Sequence, residues 1–344
     1  MQRCLTLAQL GAGYVAPNPL VGAVLVYEDT IIGEGYHQQY GKAHAEVNCV
    51  NSVAEINKNL IKKSTLYVSL EPCAHYGKTP PCVDLILENK IPHIVIGCSD
   101  SFEKVNGASI QKLIAAEINV EIGILEKECR HINKHFFTLN EKKRPYIILK
   151  WAQTNDGFIA AENGNPIRIS NDYTNKIVHK LRAETASILV GKNTVEKDKP
   201  SLTTRLWRGK NPVRIVIDQY LTLNNNATIF NDEAITIVIN RKKNETIGSN
   251  KFYKVEESIT IVEGVIKYLH EQQLNSIVIE GGAKTMQYFI NENLWDEAIV
   301  ITNTSMNIKT GISSPTLQSE LFLHSQNILN DRIASYKHND NEFL

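Results

Sequence analysis

The sequence predicts an α/β protein of two domains. Short apolar stretches of strand character alternate with amphipathic stretches of helical period, a pattern typical of sheets layered with helices. The length of 344 residues is about twice the ~150 residues of a typical domain. All six cysteines lie at or before Cys129, so the two halves are expected to carry different chemistry.

In the first half, strands alternate with helices. Leu20–Val26 is an apolar run typical of a buried strand, and Ile31–Tyr36 is expected to pair with it across a turn at Glu28-Asp29. Apolar runs predict three further strands, Thr65–Leu70, Ile94–Gly97 and Val120–Ile124. Helical periodicity predicts four helices, His44–Val53, Val83–Glu88, Ile110–Ala116 and Glu126–Phe137.

A polar segment separates the halves. Asn140–Pro145 is charged, ends in proline and has no apolar face to bury. A surface loop inside a single domain would have the same composition, but the chain length and the lack of cysteine beyond this segment favour a linker. We therefore expect one domain over residues 1–139 and another over residues 145–344.

The second half shows the same alternation. Apolar runs predict strands at Tyr146–Ala152, Ser187–Gly191, Val213–Asp218, Ile235–Asn240, Ile277–Glu280 and Glu297–Thr302. Helices are expected at Asp172–Arg182 and Ala283–Ile290, a turn at residues 224–226 and a polar loop at Arg241–Ser249. The tail beyond Gly311 is too weakly patterned to assign.

The composition excludes several classes of protein. Basic and acidic residues number 37 each, and this zero net charge argues against a protein that binds nucleic acid through phosphate contacts. No apolar run approaches the length of a membrane span. The first sixteen residues make a poor signal peptide, so we expect a cytoplasmic protein.

One imidazole and two thiols form a candidate metal site. His44 opens a predicted helix, Cys73 follows a predicted strand and Cys82 opens the next helix. Three protein ligands of this type leave a fourth tetrahedral position for water, as in catalytic zinc sites. His75 offers a rival ligand, and a zinc knuckle that only holds a loop is the structural alternative.

The carboxylate of Glu46 suits the role of a proton shuttle. Zinc makes hydroxide available near neutral pH, and hydrolytic deamination then needs a group that carries protons to the ring and the leaving ammonia. The pattern H-x-E followed by P-C-x-x-C is typical of zinc deaminases. Here the order is kept, but Cys82 lies nine positions after Cys73 instead of three.

Longer motifs identify a family. HAEVN at 44–48, EPCAHYGKTPPC at 71–82 and PNPLVG at 17–22 resemble the deaminase domain of the bifunctional riboflavin-biosynthesis deaminase–reductases. The resemblance covers roughly residues 1–138 and implies a cytidine-deaminase-like α/β/α sandwich. It implies zinc ligands at His44, Cys73 and Cys82, and proton transfer by Glu46. Asn18 and His75 are candidate substrate contacts, as is His37, although a structural role for each histidine is as plausible.

The second half lacks a G-x-G-x-x-G or P-loop motif. Ile277–Gly282 runs from a strand into a helix through paired glycines, which alone is a weak phosphate-binding signal. LKWA at 149–152, LRA at 181–183, GKNTV at 191–195, DKPSLTTR at 198–205 and VIEGG at 278–282 follow the family's order. They resemble its reductase domain, which has a dihydrofolate-reductase-like fold and uses NADPH.

The resemblance also assigns residues in this half. The residues expected at the NADPH site are Ala152, Arg168, Thr194, Asp198, Gly281 and Gly282. The residues expected to hold the substrate are Arg182, Leu202, Arg205 and Glu280. Arg182 and Arg205 have guanidinium groups suited to a ribose phosphate, the alternative being solvated surface charges.

Four places depart from the family pattern. Arg168 replaces a usual tryptophan, Lys199 replaces the second acid of a D-D-P segment, and Gln219 stands where serine is frequent. The added charges either help to bind a phosphate or alter NADPH affinity. The loop at residues 100–107 lacks the prolines usual in the family, although Asn106-Gly107 still supplies a turn.

The resemblance implies two successive reactions. The first is zinc-hydroxide deamination of 2,5-diamino-6-(5-phosphoribosylamino)pyrimidin-4(3H)-one, and the second is NADPH reduction of the ribosyl side chain to ribityl. The expected partner is this small-molecule substrate, without nucleic acid or membrane, and a homo-oligomer is typical of such enzymes. Two alternatives are a second half that only binds or assembles, and a tRNA base deaminase, which the zero net charge and the long insert before Cys82 disfavour.

Overall fold

The computed structural model describes residues 1–76, 80–101 and 107–343. Contacts divide the chain into two compact units, Met1–Lys143 with Phe343, and Arg144–Glu342. The expected turn at Asn106-Gly107 falls partly outside the described residues. Within those residues, no helix is both long enough and apolar enough to cross a membrane.

The first unit contains a five-stranded sheet in the order β2-β1-β3-β4-β5. Strand β1 runs antiparallel to both of its neighbours, whereas β3, β4 and β5 are parallel. The strands are β1 (Gly22–Tyr27), β2 (Thr30–Tyr36), β3 (Thr65–Leu70), β4 (His93–Cys98) and β5 (Asn119–Ile122). The five predicted strands are thus confirmed, with Thr65–Leu70 matching at both ends and the other strands differing by one or two residues at their ends.

Six helices accompany this sheet among the described residues. They are α1 (Gln2–Gln9), α2 (Ala45–Asn51), α3 (Cys82–Glu88), α4 (Ala108–Ala115), α5 (Glu126–Ile132) and α6 (Lys134–Glu141), together with a 3₁₀ segment, Glu55–Lys63. The sequence pattern missed α1 and the 3₁₀ segment. Residues such as Leu25, Leu66, Val83 and Ile94 form the core between strands and helices, with essentially no exposed area.

Asn133 ends one helix where the sequence predicted an uninterrupted one. Its side chain accepts the backbone N–H of Leu20 at 2.7 Å and donates to the carbonyl oxygen of Leu20 at 2.9 Å. These two bonds compete with the helical pattern, and Asn133 has φ −104° and ψ 17° between α5 and α6. Helix α6 then extends to Glu141, so part of the expected linker is helical.

The second unit contains a ten-stranded sheet in the order β11-β12-β10-β9-β8-β13-β6-β14-β17-β16 and a two-stranded sheet of β7 and β15. The strands are β6 (Tyr146–Thr154), β7 (Phe158–Ala160), β8 (Ser187–Gly191), β9 (Val213–Ile217), β10 (Thr236–Asn240), β11 (Glu245–Ile247), β12 (Asn250–Lys254), β13 (Ser276–Ile279), β14 (Glu297–Asn303), β15 (Ile312–Ser313), β16 (Glu320–Ile328) and β17 (Asp331–His338).

Four helices, a 3₁₀ turn and tight loops connect these strands. They are α7 (Asp172–Glu184), α8 (Lys192–Asp198), the 3₁₀ turn Thr228–Phe230, α9 (Ile261–Glu271) and α10 (Ala283–Asn291). The side chain of Asn171 caps α7 by accepting from two backbone N–H groups. The turn predicted at residues 224–226 is confirmed, because the N–H of Asn226 donates to Asn224 Oδ1 at 2.8 Å.

The centre of the ten-stranded sheet is parallel. Strand β13 lies between β8 and β6 and runs parallel to both, so the carboxyl ends of these strands lie at one edge. Ligands of open α/β sheets bind at this kind of edge. Buried apolar side chains on these strands, such as Leu149, Leu189 and Ile279, belong to one core cluster and so fix the position of this edge.

Candidate active sites

The first site lies in the first unit, where His44, Cys73 and Cys82 converge. The Nδ1 atom of His44 is 3.5 Å from Cys73 Sγ and 3.3 Å from Cys82 Sγ. All three ligand atoms lie within 4.8 Å of one another. A tetrahedral zinc with bonds of about 2.0 Å to nitrogen and 2.3 Å to sulfur requires N···S separations of about 3.5 Å. The donor set and its spacing therefore fit zinc.

Local structure places these three side chains. His44 is the N-cap residue of α2, with extended backbone at φ −76° and ψ 171°. Cys73 follows the end of β3, and Cys82 is the first residue of α3. The backbone N–H of Val83 donates to the carbonyl oxygen of Cys73 at 3.2 Å, which joins the strand end to the helix start.

The charges of the two thiols are unequal. A hydrogen bond from Cys82 lowers the pKa of Cys73 to about 4, with burial opposing it and His44 assisting. Sharing this bond with Cys73, together with burial, raises the pKa of the Cys82 thiol. The cluster therefore favours a thiolate, and a divalent cation among the three side chains would favour that state at both cysteines.

Glu46 lies beside the cluster on the first turn of α2. It is 3% exposed. Burial, followed by the negative charge of Cys73, raises the pKa of its carboxyl group, and the nearby imidazole of His44 opposes this shift. A buried carboxylate beside the cluster, outside its three ligands, is placed for the role of a proton shuttle.

Asn18 and His37 form a hydrogen-bonded pair near His44. Asn18 Nδ2 lies 3.2 Å from His37 Nε2, and His37 Nδ1 lies 3.1 Å from the carbonyl oxygen of Ala43. The rings of His37 and His44 meet edge to face with centroids 5.3 Å apart. His75 is half-buried, and the His44–Cys73–Cys82 cluster does not include it.

The carboxylate of Glu71, to which the sequence motif assigned no role of its own, anchors the loop that carries Cys73. Glu71 is 3% exposed and accepts the backbone N–H groups of Asp100 and Gly107 at 3.1 and 3.0 Å. The hydroxyl of Ser109 donates to it at 2.5 Å. A charged residue directly after a strand of apolar side chains was the available signal.

The second site lies in the second unit at the parallel edge of the sheet. A cavity of about 850 Å³ opens there. Five of the six residues expected at the NADPH site line it: Ala152, Arg168, Thr194, Asp198 and Gly282. Gly281 does not, and it lies buried against β8, where a Cβ atom would come within 2.8 Å of Val190 Cα.

The N-terminus of α10 has features that suit the phosphates of a dinucleotide. Gly282 has φ +49° and is the N-cap residue of α10, so its backbone is open towards the cavity. Thr285 and Lys284 from the first turn of α10 also line the cavity. Its volume lies in the range of cofactor pockets, and backbone N–H groups at a helix start favour a phosphate.

A buried ion-pair group reaches this cavity through Glu280 and Lys150, which line it. Arg182 donates from Nε and Nη2 to the two carboxylate oxygens of Glu280, at 3.0 and 2.6 Å. Lys150 Nζ lies 3.9 Å from the same carboxylate. Burial alone would raise the pKa of Glu280, but Arg182 and Lys150 outweigh it and lower that pKa to about 2.

This arrangement changes the role expected of Arg182. The sequence analysis assigned its guanidinium fork to a phosphate, but the fork already holds Glu280, and Nη1 lies 3.4 Å from the carbonyl oxygen of Thr203. The side chain of Arg205 is exposed and lines a second cavity of about 710 Å³. Its Nη1 donates to Ser201 Oγ at 2.7 Å. Leu202, between these residues, is buried and has φ +53°.

The three departures from the family pattern in the second half lie around these two cavities. Arg168 lines the larger one, but its guanidinium pairs with Asp172 one helical turn further along the chain. Gln219 also lines the larger cavity, and Lys199 lines the smaller one. The charge of Arg168 is thus partly balanced within the chain.

His179 was not singled out in the sequence. It lies on α7 three residues before Arg182, is 4% exposed, and its Nδ1 accepts the backbone N–H of Arg205 at 3.1 Å. Residues three apart share a helix face. The spacing of His179 and Arg182 was therefore the signal that would have found it.

Together the two sites define a class of enzyme. A His-Cys-Cys metal cluster beside a buried carboxylate is the arrangement of the zinc-dependent deaminases. On the same chain, a separate α/β unit holds a cavity suited to a dinucleotide and a sugar phosphate. The class is that of a zinc deaminase fused to a reductase.

Comparisons with known proteins identify the family. Residues 1–98 match the cytidine and deoxycytidylate deaminase zinc-binding region, and residues 145–306 match the RibD C-terminal domain. Riboflavin biosynthesis protein RibD of Aquifex aeolicus is 41% identical over 307 residues, 87% of this chain and 85% of that protein. RibD of Bacillus amyloliquefaciens is 37% identical, over 86% of this chain and 81% of that protein.

A solved structure agrees over almost the whole chain. The diaminohydroxyphosphoribosylaminopyrimidine deaminase/5-amino-6-(5-phosphoribosylamino)uracil reductase of Thermotoga maritima has a TM-score of 0.90 and 33% identity, covering 98% of this chain and 97% of its own. The chain belongs to the RibD family of bifunctional riboflavin-biosynthesis enzymes. The predictions of a two-domain α/β fold, of a deaminase and reductase on one chain, and of zinc and NADPH as cofactors are confirmed at the level of the family.

Proposed function

We propose that the first unit hydrolyses the 2-amino group of 2,5-diamino-6-(5-phosphoribosylamino)pyrimidin-4(3H)-one. In this reaction the C–N bond to the amino group breaks, a carbonyl forms at the same carbon, and ammonia leaves. Zinc, when bound, acidifies a water molecule so that a nucleophile is available near neutral pH. His44, Cys73 and Cys82 are the proposed ligands. Their convergence is the single observation that carries the proposal.

In this scheme Glu46 carries the protons. Its buried carboxylate takes one proton from the attacking water and delivers it to the ring nitrogen, and a second transfer releases the amino group as ammonia. Asn18 and His75 are proposed to hold the pyrimidine. The pairing of Asn18 Nδ2 with His37 supports this role, because it leaves the carbonyl end of the Asn18 amide for a donor on the substrate.

The second unit is proposed to reduce the ribosyl side chain of the deaminated product to ribityl. NADPH, when bound, supplies the hydride for C1 of the sugar. Ala152, Thr194, Asp198 and Gly282 are proposed to form its site, whereas Gly281 packs against Val190 of β8 and is not proposed as a contact. Arg168 is proposed to add a positive charge at the rim, and the larger cavity supports this placement.

The substrate is proposed to bind between Glu280, which lines the larger cavity, and Arg205, which lines the smaller one. Leu202, which is buried and lies three residues before Arg205, is proposed to contact the substrate as well. Because the fork of Arg182 holds Glu280, Arg205 is the proposed ligand of the 5-phosphate and Arg182 orients Glu280 towards the sugar. Domains over residues 1–139 and 145–344 are proposed to carry the two reactions, which the division between Lys143 and Arg144 supports.

The chain is further proposed to work in the cytoplasm as a homo-oligomer. Strand β16 lies at an edge of the ten-stranded sheet, and Leu321 and Phe322 on it are 48% and 59% exposed. Exposed apolar side chains on an edge strand favour association with another copy. Sedimentation velocity of the purified chain tests this, and a purely monomeric species would contradict it.

Product analysis tests both proposed reactions. The purified, zinc-loaded chain is supplied with the diaminopyrimidine, first alone and then with NADPH. We expect ammonia and the ribosyl uracil product without NADPH, and the ribityl product with it. Absence of ammonia release would overturn the deaminase assignment. Ammonia release without oxidation of NADPH would overturn the reductase assignment alone.

A further inference from the structure

The segment from Thr203 to Gly209 lies along helix α7. The carbonyl oxygen of Thr203 faces Arg182 Nη1 at 3.4 Å, and Lys180 Nζ lies 5.7 Å from the centre of the Trp207 ring. A Cβ atom added to Gly209 would come within 2.6 Å of Ala183 Cβ, which shows how closely the two segments pack. This segment carries Arg205, the proposed phosphate ligand.

One side chain of α7 holds the middle of this segment. His179 Nδ1 accepts the backbone N–H of Arg205 at 3.1 Å, and the N–H of Leu206 lies 3.4 Å from the same atom. Both donors are backbone groups, so Nδ1 must be unprotonated and the ring carries its proton on Nε2. His179 is 4% exposed, so its Nδ1 acceptor has little access to water.

The charged groups around His179 favour the same protonation state. Burial, followed by the positive charges of Arg182 on its own helix and Arg205 on the segment, lowers the pKa of His179 to about 4. Lys150 on β6 adds to this effect, and Glu280 after β13 opposes it. The imidazole is therefore a neutral acceptor throughout the physiological pH range.

We propose that His179 is a positioning residue of the reductase, which fixes the backbone at Arg205 so that the guanidinium meets the 5-phosphate of the substrate. The inference rests on the proposed function, because it takes Arg205 as the phosphate ligand. Leu202, three residues earlier, holds φ +53° despite its Cβ atom, a conformation that persists only where the surroundings fix the chain. The bond from Arg205 to His179 supplies such a restraint.

Substitution of His179 tests the proposal on the full chain. His179→Leu keeps a branched side chain but removes the acceptor, and His179→Asn keeps an acceptor at the position of Nδ1. The substrates are the deaminated intermediate and the same compound without its 5-phosphate. Ammonia release by the first unit and the melting temperature of each variant report whether the chain is folded.

The expected rise in KM is confined to the substrate that carries the 5-phosphate. His179→Leu should raise KM for the phosphorylated substrate about tenfold, the effect of one lost hydrogen bond, with kcat changed less than about twofold. KM for the substrate without phosphate should not change. His179→Asn should restore most of the wild-type KM, and His179→Leu should add nothing to Arg205→Ala.

Other outcomes would overturn the inference. Equal effects of His179→Leu on both substrates, a loss confined to kcat, or failure of His179→Asn to restore KM would mean that His179 is only structural. The variant Arg205→Ala distinguishes a failure of the positioning role of His179 from a failure of the phosphate role of Arg205. If that variant raises KM only for the phosphorylated substrate while His179→Leu does not, positioning by His179 is wrong. If Arg205→Ala affects both substrates equally, the phosphate role of Arg205 itself is wrong.

Discussion

Arg182 and Glu280 are joined by two parallel hydrogen bonds at 3.0 and 2.6 Å, with side chains that are 12% and 6% exposed. The two residues lie on different elements, α7 and the segment after β13, so the pair connects a helix to the parallel edge of the sheet. A buried bidentate pair of this kind leaves an uncompensated charge when one partner is removed.

Glu280→Gln should therefore destabilise the second unit by about 3 kcal/mol at pH 7. Folding lowers the pKa of Glu280 from 4.5 to about 2, so the unfolded chain binds more protons as the pH falls. The stability due to Glu280 is present above pH 4.5 and is lost as the pH falls towards 2. The difference between variant and wild type should shrink in the same window.

Urea unfolding followed by tryptophan fluorescence measures this difference. Trp151, Trp207 and Trp295 all lie in the second unit, so the signal reports on that unit. Glu320→Gln, at an exposed position on β16, is the matched control and should change little. A constant difference between pH 7 and pH 3 would contradict the linkage.

Glu46→Gln should keep zinc but slow ammonia release by a factor of about 10² to 10⁴. The amide cannot accept and return a proton, whereas the three ligand atoms of the cluster are unchanged. Metal analysis and an ammonia assay measure the two effects separately. Reduction of supplied deaminated intermediate by NADPH should continue at the wild-type rate, and near-normal ammonia release would refute the shuttle role of Glu46.

Cys82→Ser should lower the zinc content of the purified chain and abolish ammonia release. The substitution removes one of three protein ligands, and metal sites lose orders of magnitude in affinity when a ligand is lost. Cys98→Ser is the control, because Cys98 is buried at the end of β4 and lies outside the cluster. Removal of zinc from the wild type with a chelator should reproduce the loss of ammonia release, with NADPH-dependent reduction retained.

Gly281→Ala and Gly282→Ala should both lower stability, for different reasons. At Gly281 the new Cβ would lie 2.8 Å from Val190 Cα, an atom of the β8 backbone, so a loss of about 2 kcal/mol is expected. At Gly282 the nearest atom is Thr194 Oγ1 at 3.5 Å, and the cost, about 1 to 3 kcal/mol, comes from backbone angles of φ +49° and ψ 126° that alanine rarely adopts. Urea unfolding and NADPH titration measure both variants, and wild-type stability of Gly281→Ala would contradict the packing at Gly281.

Local sequence signals predicted most of the central strands and the metal cluster. Thr65–Leu70 and Ser187–Gly191 have the observed ends, because short apolar runs between polar residues define buried parallel strands. His44, Cys73 and Cys82 converge as the motif order implied. The strands depend on residues that are close in the sequence, and the cluster depends on residue types that are characteristic zinc ligands.

Features set by distant contacts were not predictable in the same way. A hydrogen bond between Asn133 and Leu20, which are 113 residues apart, interrupts a helix, and the periodicity of the sequence contains no sign of such a contact. Likewise the guanidinium group of Arg182 donates to the carboxylate of Glu280, which lies 98 residues further along the chain. Helix α9 is a different case, since Thr260 and Glu263 form a capping box, which is a helix-start signal readable in the sequence. Strand β16 lacks apolar alternation because it is exposed on both faces, and β17 lacks it because polar residues such as Asp331 and Ser335 are buried in it along with Ile333.

The strand order of the second unit has a consequence for synthesis on the ribosome. Strand β17 pairs with β14 inside the sheet, yet it is made after every other strand there. A nascent chain that has not reached residue 331 already contains the whole of Met1–Lys143, including the three candidate zinc ligands. Its second sheet still exposes the edge of β14, and an unpaired strand edge of this kind is prone to pair with another chain.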